Sequence, residues 1–458
     1  MKQETSTTNM LETAPIGKLI LKYSVPTALT LMVNYLYNIA DQIFVGQGVG
    51  VTGMAATNIA FPLTIVAIAI ALMIGDGSAA NISLFLGRKQ PEEADKIASH
   101  ALTLLIGSAL LLAVLCTVFA PQLVKLLGAT KTSFDDALAY TRIIIWGLPF
   151  LMFSSSLNAL IRADGNPQYT MKCMIAGAVI NLVLDPVFIF LLKMGVVGAG
   201  IATIIGQAVG GFLCLRYMRH LQNFHIVKSA LRPTWARSRQ ILALGIPSLI
   251  TQLLTAAVQI ITNNLMQIYG AHTVYGSDMA LSVYGMIMKI YQIAHSMFVG
   301  VSSATQPIHG YNFGAKQYDR VKQTYKMAAT IAIAISVFWF LIYQIFPRQI
   351  GMLFVTGDEL YLDCVQHFFR YYMLAFFVYG LHMSTSAFFQ GIGKSTRSLL
   401  IPLSRQAIIL IPLSIILAYF FGLDGVLLAA PVADVCSFII ALTLALTEFR
   451  SWKRQGMI

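Results

Sequence analysis

From Ala101 to Val124 the chain carries no formal charge, and comparable apolar runs recur along its 458 residues. A helix rises about 1.5 Å per residue, so each run can cross the roughly 30 Å of a bilayer's hydrocarbon. Only 11% of the residues are charged and 57% are hydrophobic, where a soluble domain has about 25% charged. Too little polar surface remains to cover a water-soluble core. The expected fold is all-α, a polytopic helical membrane protein.

The opening stretch MKQETSTTNMLETAPIGK is polar and lacks the short apolar core and cleavage site of a signal peptide. The first apolar segment is therefore expected to be a retained span. Cys116, Cys173, Cys214, Cys364 and Cys436 sit singly in apolar segments, which predicts packing residues and no disulfide framework or metal cluster.

Breaks at Gly, Pro and charge clusters give twelve spans, near 16–47, 52–84, 92–121, 133–161, 168–192, 197–220, 238–269, 277–309, 319–346, 360–390, 396–421 and 425–449. Of the 31 Lys and Arg, 24 are placed on one side, in the N-terminal tail, the loops around Arg88, Arg162, Arg232, Lys316 and Lys394, and the C-terminal tail. Lys125, Lys131, Lys193 and Arg348 fall opposite, and Arg142, Lys289 and Arg370 fall inside spans. This asymmetry predicts cytoplasmic termini in a plasma or inner membrane, with loops near Gly128 and Gly422 outside. The net charge of +12 then reflects topology and anionic headgroups as its partner, and no nucleic acid is implied.

The longest polar interruption, HLQNFHIVKSALRPTWARSRQ, bisects the chain, and motifs recur across it. LGRKQ (86–90) matches FGAKQ (313–317), RADGNP (162–167) matches QGIGKS (390–395), and MGVVGAGIA (194–202) matches FGLDGVLLA (421–429). SVPTALT (24–30) matches GIPSLIT (245–251), so the offset stays between 221 and 228 residues. The expected organisation is two pseudo-symmetric six-helix lobes, 1–228 and 229–458, related along the membrane normal as in transporters.

Asp41 is the one formal charge after Lys22 in the apolar segment Ile16–Val49, and Asn34 and Asn38 precede it. Asp185, in NLVLDP, follows Asn181 at a spacing of four, so the two share a helix face. Thr203 and Gln207 are reached at similar depth on the next span. Carboxylates, amides and a hydroxyl form a hard-oxygen set suited to a proton or to sodium. Interhelical hydrogen bonding alone explains a lone Asn or Thr. Two aspartates at matched depth favour a functional site. Asp76, flanked by glycines, reads equally as a cavity residue or a local cap. In the C-terminal half Asp434, Lys289, Met286, Tyr291 and His295 are candidates for a substrate cavity. Arg142 and Arg370, in aromatic settings, are expected to snorkel at the outer interface.

Taken together, the early proline of span one followed by Asp41, LGRKQ, RADGNP, NLVLDP and VGAGIAT resemble the multidrug and toxic compound extrusion (MATE) family, DinF-like and MepA-like bacterial type. The resemblance covers nearly the whole chain. It implies two six-helix lobes forming a V and efflux of amphipathic or cationic organic compounds by antiport against H+ or Na+. It also implies a cation site at Asp41, Asn181, Asp185 and Thr203. The carboxylate that some members carry in the C-terminal lobe has no counterpart among Thr255, Gln259, Asn263 and Lys289.

Rival readings are weaker. A major-facilitator transporter needs an acid–arginine loop where Leu84 and Phe85 stand, and a lipid-linked flippase favours a more cationic cavity. An intramembrane enzyme needs a His convergent with an acid, and none is expected for His295, His367 and His382. No Walker-type loop is present, so the drive is expected to be an ion gradient, without cofactor. The partners are small-molecule drugs, and a monomer is expected.

Overall fold

The computed structural model describes residues 11–49, 51–127, 134–232, 234–354 and 358–458. Lys131 and Gly128, used in the topology reading, lie outside the described residues. Among those described there is no strand. The main helices are α1 Ile16–Gly48, α2 Val51–Gly87, α3 Pro91–Val118, α4 Phe134–Ala163, α5 Pro167–Pro186, α6 Gly195–Tyr217, α7 Trp235–Gly270, α8 Gly276–Gly314 and α9 Tyr318–Ile345. They are followed by α10 Glu359–Tyr372, α11 Gly380–Gly391, α12 Ser395–Leu403 and α13 Ile411–Arg454.

Nine helices among the described residues are long and apolar enough to cross a membrane, and ten if the pair Glu359–Tyr372 and Phe376–Gly391, bent by 45°, is one span. The stretch Ser395–Arg454 counts there as one helix, yet Gly422 breaks it with φ 61° and ψ −134°. Only glycine adopts that backbone without strain. Splitting at Gly422 and adding the more polar α8 recovers the twelve rods expected from the sequence. The protein is a multi-pass helical membrane protein.

Local sequence explains the helix ends. In RADGNP, Gly165 turns with φ 94°, Asn166 caps α5 by accepting from the Tyr169 amide at 3.1 Å, and Pro167 opens the helix where no donor is needed. At the far end Pro186 lacks a backbone donor, and α5 widens into a π turn over Val187–Leu191. A second π turn, Ser404–Leu410, separates α12 from α13.

Contacts divide the chain into two units. Unit one holds the described residues up to Pro15, with Val25–Gln252 and Gly310–Lys316. In it α5 and α6 meet backbone to backbone. A Cβ on Gly177 would stand 2.6 Å from the Gly206 carbonyl oxygen, and the reverse distance is also 2.6 Å. That approach carries Asn181 to Thr203. The first part of α7 seats on α2 in the same manner. There the Asn81 and Gln240 side chains also bond, Gln240 Nε2 donating at 3.0 Å to Asn81 Oδ1.

The connection after α6 is stitched to this unit. Asp164 accepts from Tyr217 Oη at 2.9 Å and from the Gln222 and Asn223 amides at 3.0 and 2.8 Å. Burial pushes its carboxyl above the usual range, against the pull of those donors. Further along, Asp95 accepts from the His225 amide at 2.6 Å, and Ser99 from the Val227 amide at 2.8 Å.

Unit two holds Ile16–Ser24, Leu253–His309 and Gln317–Ile458. Its core is aromatic, with Tyr343 stacked on Phe369 at 5.3 Å and Phe376 on Tyr379 at 5.1 Å. Met286 packs into this core. Glu448, fully buried, is held by Lys394, Arg397 and the Trp452 indole N–H. The charge count needs one correction. It groups Arg405 with the loop at Lys394, but Arg405 sits inside the π turn with its side chain only 12% exposed.

Candidate functional site

In unit one, α1, α5 and α6 bring together the four residues first suspected from the sequence. Asn181 Nδ2 lies 3.4 Å from Asp185 Oδ1 and 3.4 Å from Thr203 Oγ1. Thr203 donates to the Ala199 carbonyl at 2.9 Å, so its lone pairs face Asn181. The Asp41 and Asp185 carboxyls lie within hydrogen-bonding reach of each other, an arrangement that needs a proton or a cation between them. Asn181 and Asp185 are buried.

Four buried oxygens here have no hydrogen-bond partner among the described residues: Asp41 Oδ1, Asp185 Oδ2, Asn181 Oδ1 and Gln207 Oε1. Buried acceptors are otherwise nearly always paired, because an unpaired one costs about 1–3 kcal/mol. A set of unpaired oxygens fits a bound proton or a hard cation such as sodium, which takes oxygen ligands.

Two phenols complete the surroundings. Tyr37, one turn before Asp41, and Tyr140 on α4 both lie within electrostatic reach of the two acids, and Tyr140 lies near Thr203. Tyr37 was legible as the i−4 neighbour of Asp41. Tyr140 arrives through the packing of α4 on α6, which leaves no mark in spacing. Gln207 reaches toward α4, its Oε1 2.8 Å from where a Cβ on Gly147 would stand. Asn38 instead donates to the Asn34 carbonyl at 2.8 Å, on an exposed side of α1. Asp76 does not stand alone. It accepts from Ser248 at 2.8 Å and lies 3.7 Å from Arg162.

In unit two, three of the five suspected residues converge. Asp434 pairs with Arg405, whose guanidinium lies 4.9 Å from the centre of the Tyr379 ring. Tyr291 bonds the Tyr379 hydroxyl, and the His295 ring is 5.5 Å from Tyr291. Met286 is core, and Lys289 is exposed on α8. Arg142 and Arg370 are exposed as well. His367 corrects the expectation that no histidine meets an acid: Asp363 stands four residues before it on the same helix, and its ring pairs with Asp424 of another helix at 2.6 Å.

The MatE family model matches residues 26–187 and 247–416. The chain belongs to the MatE family. Among its relatives, the multidrug export protein MepA of Staphylococcus haemolyticus is 24% identical over 93% of this chain and 93% of its own length. An FAD transporter of Shewanella oneidensis is 25% identical over 95% of both. A solved MOP superfamily transporter from Pyrococcus furiosus, described as having a binding pocket of reverse polarity, superposes with a TM-score of 0.90. It is 24% identical and covers 99% of this chain and 100% of its own, which shows a common fold. The protein is thus a MATE-family transporter of MepA-like type.

Proposed function

We propose that this MATE transporter exports amphipathic organic compounds, organic cations included, in exchange for protons or sodium ions held at Asp41 and Asp185. The observation that carries this is the facing of two buried carboxyls with unpaired oxygens around them. An aspartate pair inside a bilayer cannot carry two bare charges without severe cost. One proton or one sodium ion removes that cost. Asn181 and Thr203 hold the acids in register, and Tyr37 and Tyr140 screen them.

Ion arrival lets the helix walls close around a neutralised site, and ion departure reopens them. The gradient drives cargo only if the ion binds the outward-open and inward-open states with different affinity. The aromatic and methionine side chains of unit two supply adaptable apolar area, which suits broad selectivity. The protein acts as a monomer in the plasma or inner membrane with both termini in the cytoplasm.

The test is efflux of a lipophilic cationic dye from proteoliposomes under separately imposed proton and sodium gradients. Either gradient should accelerate efflux in wild type. Downhill leak that neither gradient changes would refute coupled export.

A further inference from the structure

The coupling site gives no task to the charges buried in unit two. Arg405 uses one edge of its guanidinium on one oxygen of Asp434, Nε donating to Oδ1 at 2.8 Å and Nη2 lying 2.7 Å from the same atom. A two-oxygen fork, the strongest arrangement, is not formed. Nη1 has no acceptor among the described residues. Beyond Asp434, the acidic groups in electrostatic reach of Arg405 among the described residues are the phenols of Tyr291, Tyr372 and Tyr379.

The neighbours are donors and rings. His295, half-buried, and His382 both lie within reach of the guanidinium. His382 directs Nδ1 to the Tyr379 carbonyl, and its ring is 4.7 Å from that of Tyr379. A buried ion pair rarely adds stability over apolar side chains of equal volume, so its presence needs another reason. The acid pair of unit one, by contrast, has no basic partner among the described residues.

We infer that Arg405, with Tyr291, Tyr379 and His295, forms a second ligand site that takes the carboxylate of an aromatic organic anion. The oxyanion meets the free Nη1 edge of the guanidinium, and the substrate ring lies among the tyrosines. Asp434 orients the guanidinium and balances its charge while the site is empty of ligand. This rests on the reading that the chain carries amphipathic compounds, and it extends their class beyond cations.

The experiment measures binding of fluorescein, an aromatic anion, and rhodamine 123, a cation on a similar ring system, by fluorescence anisotropy. The full-length protein is used in phosphatidylcholine nanodiscs, which hold no anionic headgroup. Arg405→Gln alone leaves Asp434 buried and unpaired, so the double variant Arg405→Gln/Asp434→Asn is measured beside it. The ratio of fluorescein to rhodamine affinity should fall about tenfold or more in the double variant, the worth of a charge-assisted hydrogen bond. Arg405→Lys should fall between. The proposal is overturned if wild type fails to bind fluorescein at about 1 mM, or if the ratio stays at its wild-type value. It is also overturned if added phosphatidylglycerol displaces fluorescein completely, which would reassign the site to a lipid headgroup. Gradient-driven rhodamine efflux without fluorescein binding sinks only this site. Fluorescein binding at Arg405 without coupled efflux sinks only the export reading.

Discussion

Adding one methyl group to Gly245 should unseat α7 from α2. A Cβ there would stand 1.7 Å from the Met73 carbonyl oxygen and 2.6 Å from its carbon, both backbone atoms with no rotamer to yield. Ordinary contact begins at 3.4 Å, so the helices must part by about 1.7 Å. Overpacking of this kind costs about 1–3 kcal/mol. The upper end applies here, because parting also stretches the Gln240–Asn81 bond of 3.0 Å and the Ser248–Asp76 bond of 2.8 Å. Gly107→Ala is the matched control. It lies within α3 and nothing comes within 4 Å of its added Cβ, so the same change should add about 0.5–1 kcal/mol through helix propensity. A thiol-reactive dye reports unfolding in detergent, since Cys173, Cys214 and Cys364 are free and buried. Gly245→Ala should react at a lower temperature than wild type, and Gly107→Ala at the same or a higher one. A Gly245→Ala midpoint at or above that of wild type would refute the close-packing argument.

Asp41→Asn should abolish gradient-driven efflux while the protein still inserts and purifies, and retained export with unchanged proton and sodium dependence would return Asp41 to a structural role. Tyr140→Phe, which removes the hydroxyl near Thr203 and the two acids, should weaken ion dependence by about fivefold, the worth of one hydrogen bond. The ion concentration at half-maximal efflux measures it. Asp164→Ala strands the Gln222 and Asn223 amides and the Tyr217 hydroxyl, and should cost at least about 2 kcal/mol, read as a lowered unfolding midpoint. Reporters inserted near Phe224 or fused after Ile458 should be cytoplasmic and one near Gly422 external; a Gly422 reporter found inside refutes the topology.

The cluster proposed for coupling was legible because most of its geometry is helical and local. Asn181 and Asp185 share a face by spacing alone, and Thr203 follows from equal depth on the next span. Tyr140 was not legible, because its place depends on how α4 lies along α6. Arg405 was hidden for a different reason. Charge counting assigns every basic residue near a loop to that loop, and it sees neither the π turn that holds Arg405 nor the burial that pairs it with Asp434. The span count was legible because Gly, Pro and charge breaks mark both α8 and the bend at Gly422, where apolarity alone misses the first and helical continuity hides the second.

The wide turn Ser404–Leu410 works as a vernier on the helix that contains it. Each π turn accommodates one residue more than an α turn, which shifts the angular phase of everything beyond it by about 100°. The segments α12 and α13 are therefore freed from a single helical clock. Each can set its own greasy stripe toward lipid, while the guanidinium between them is dialled inward to meet Asp434. With a strictly regular helix, any substitution that reoriented α12 would swing Arg405 away from Asp434. The phase slip lets the lipid-facing surface drift in evolution without moving the buried charge.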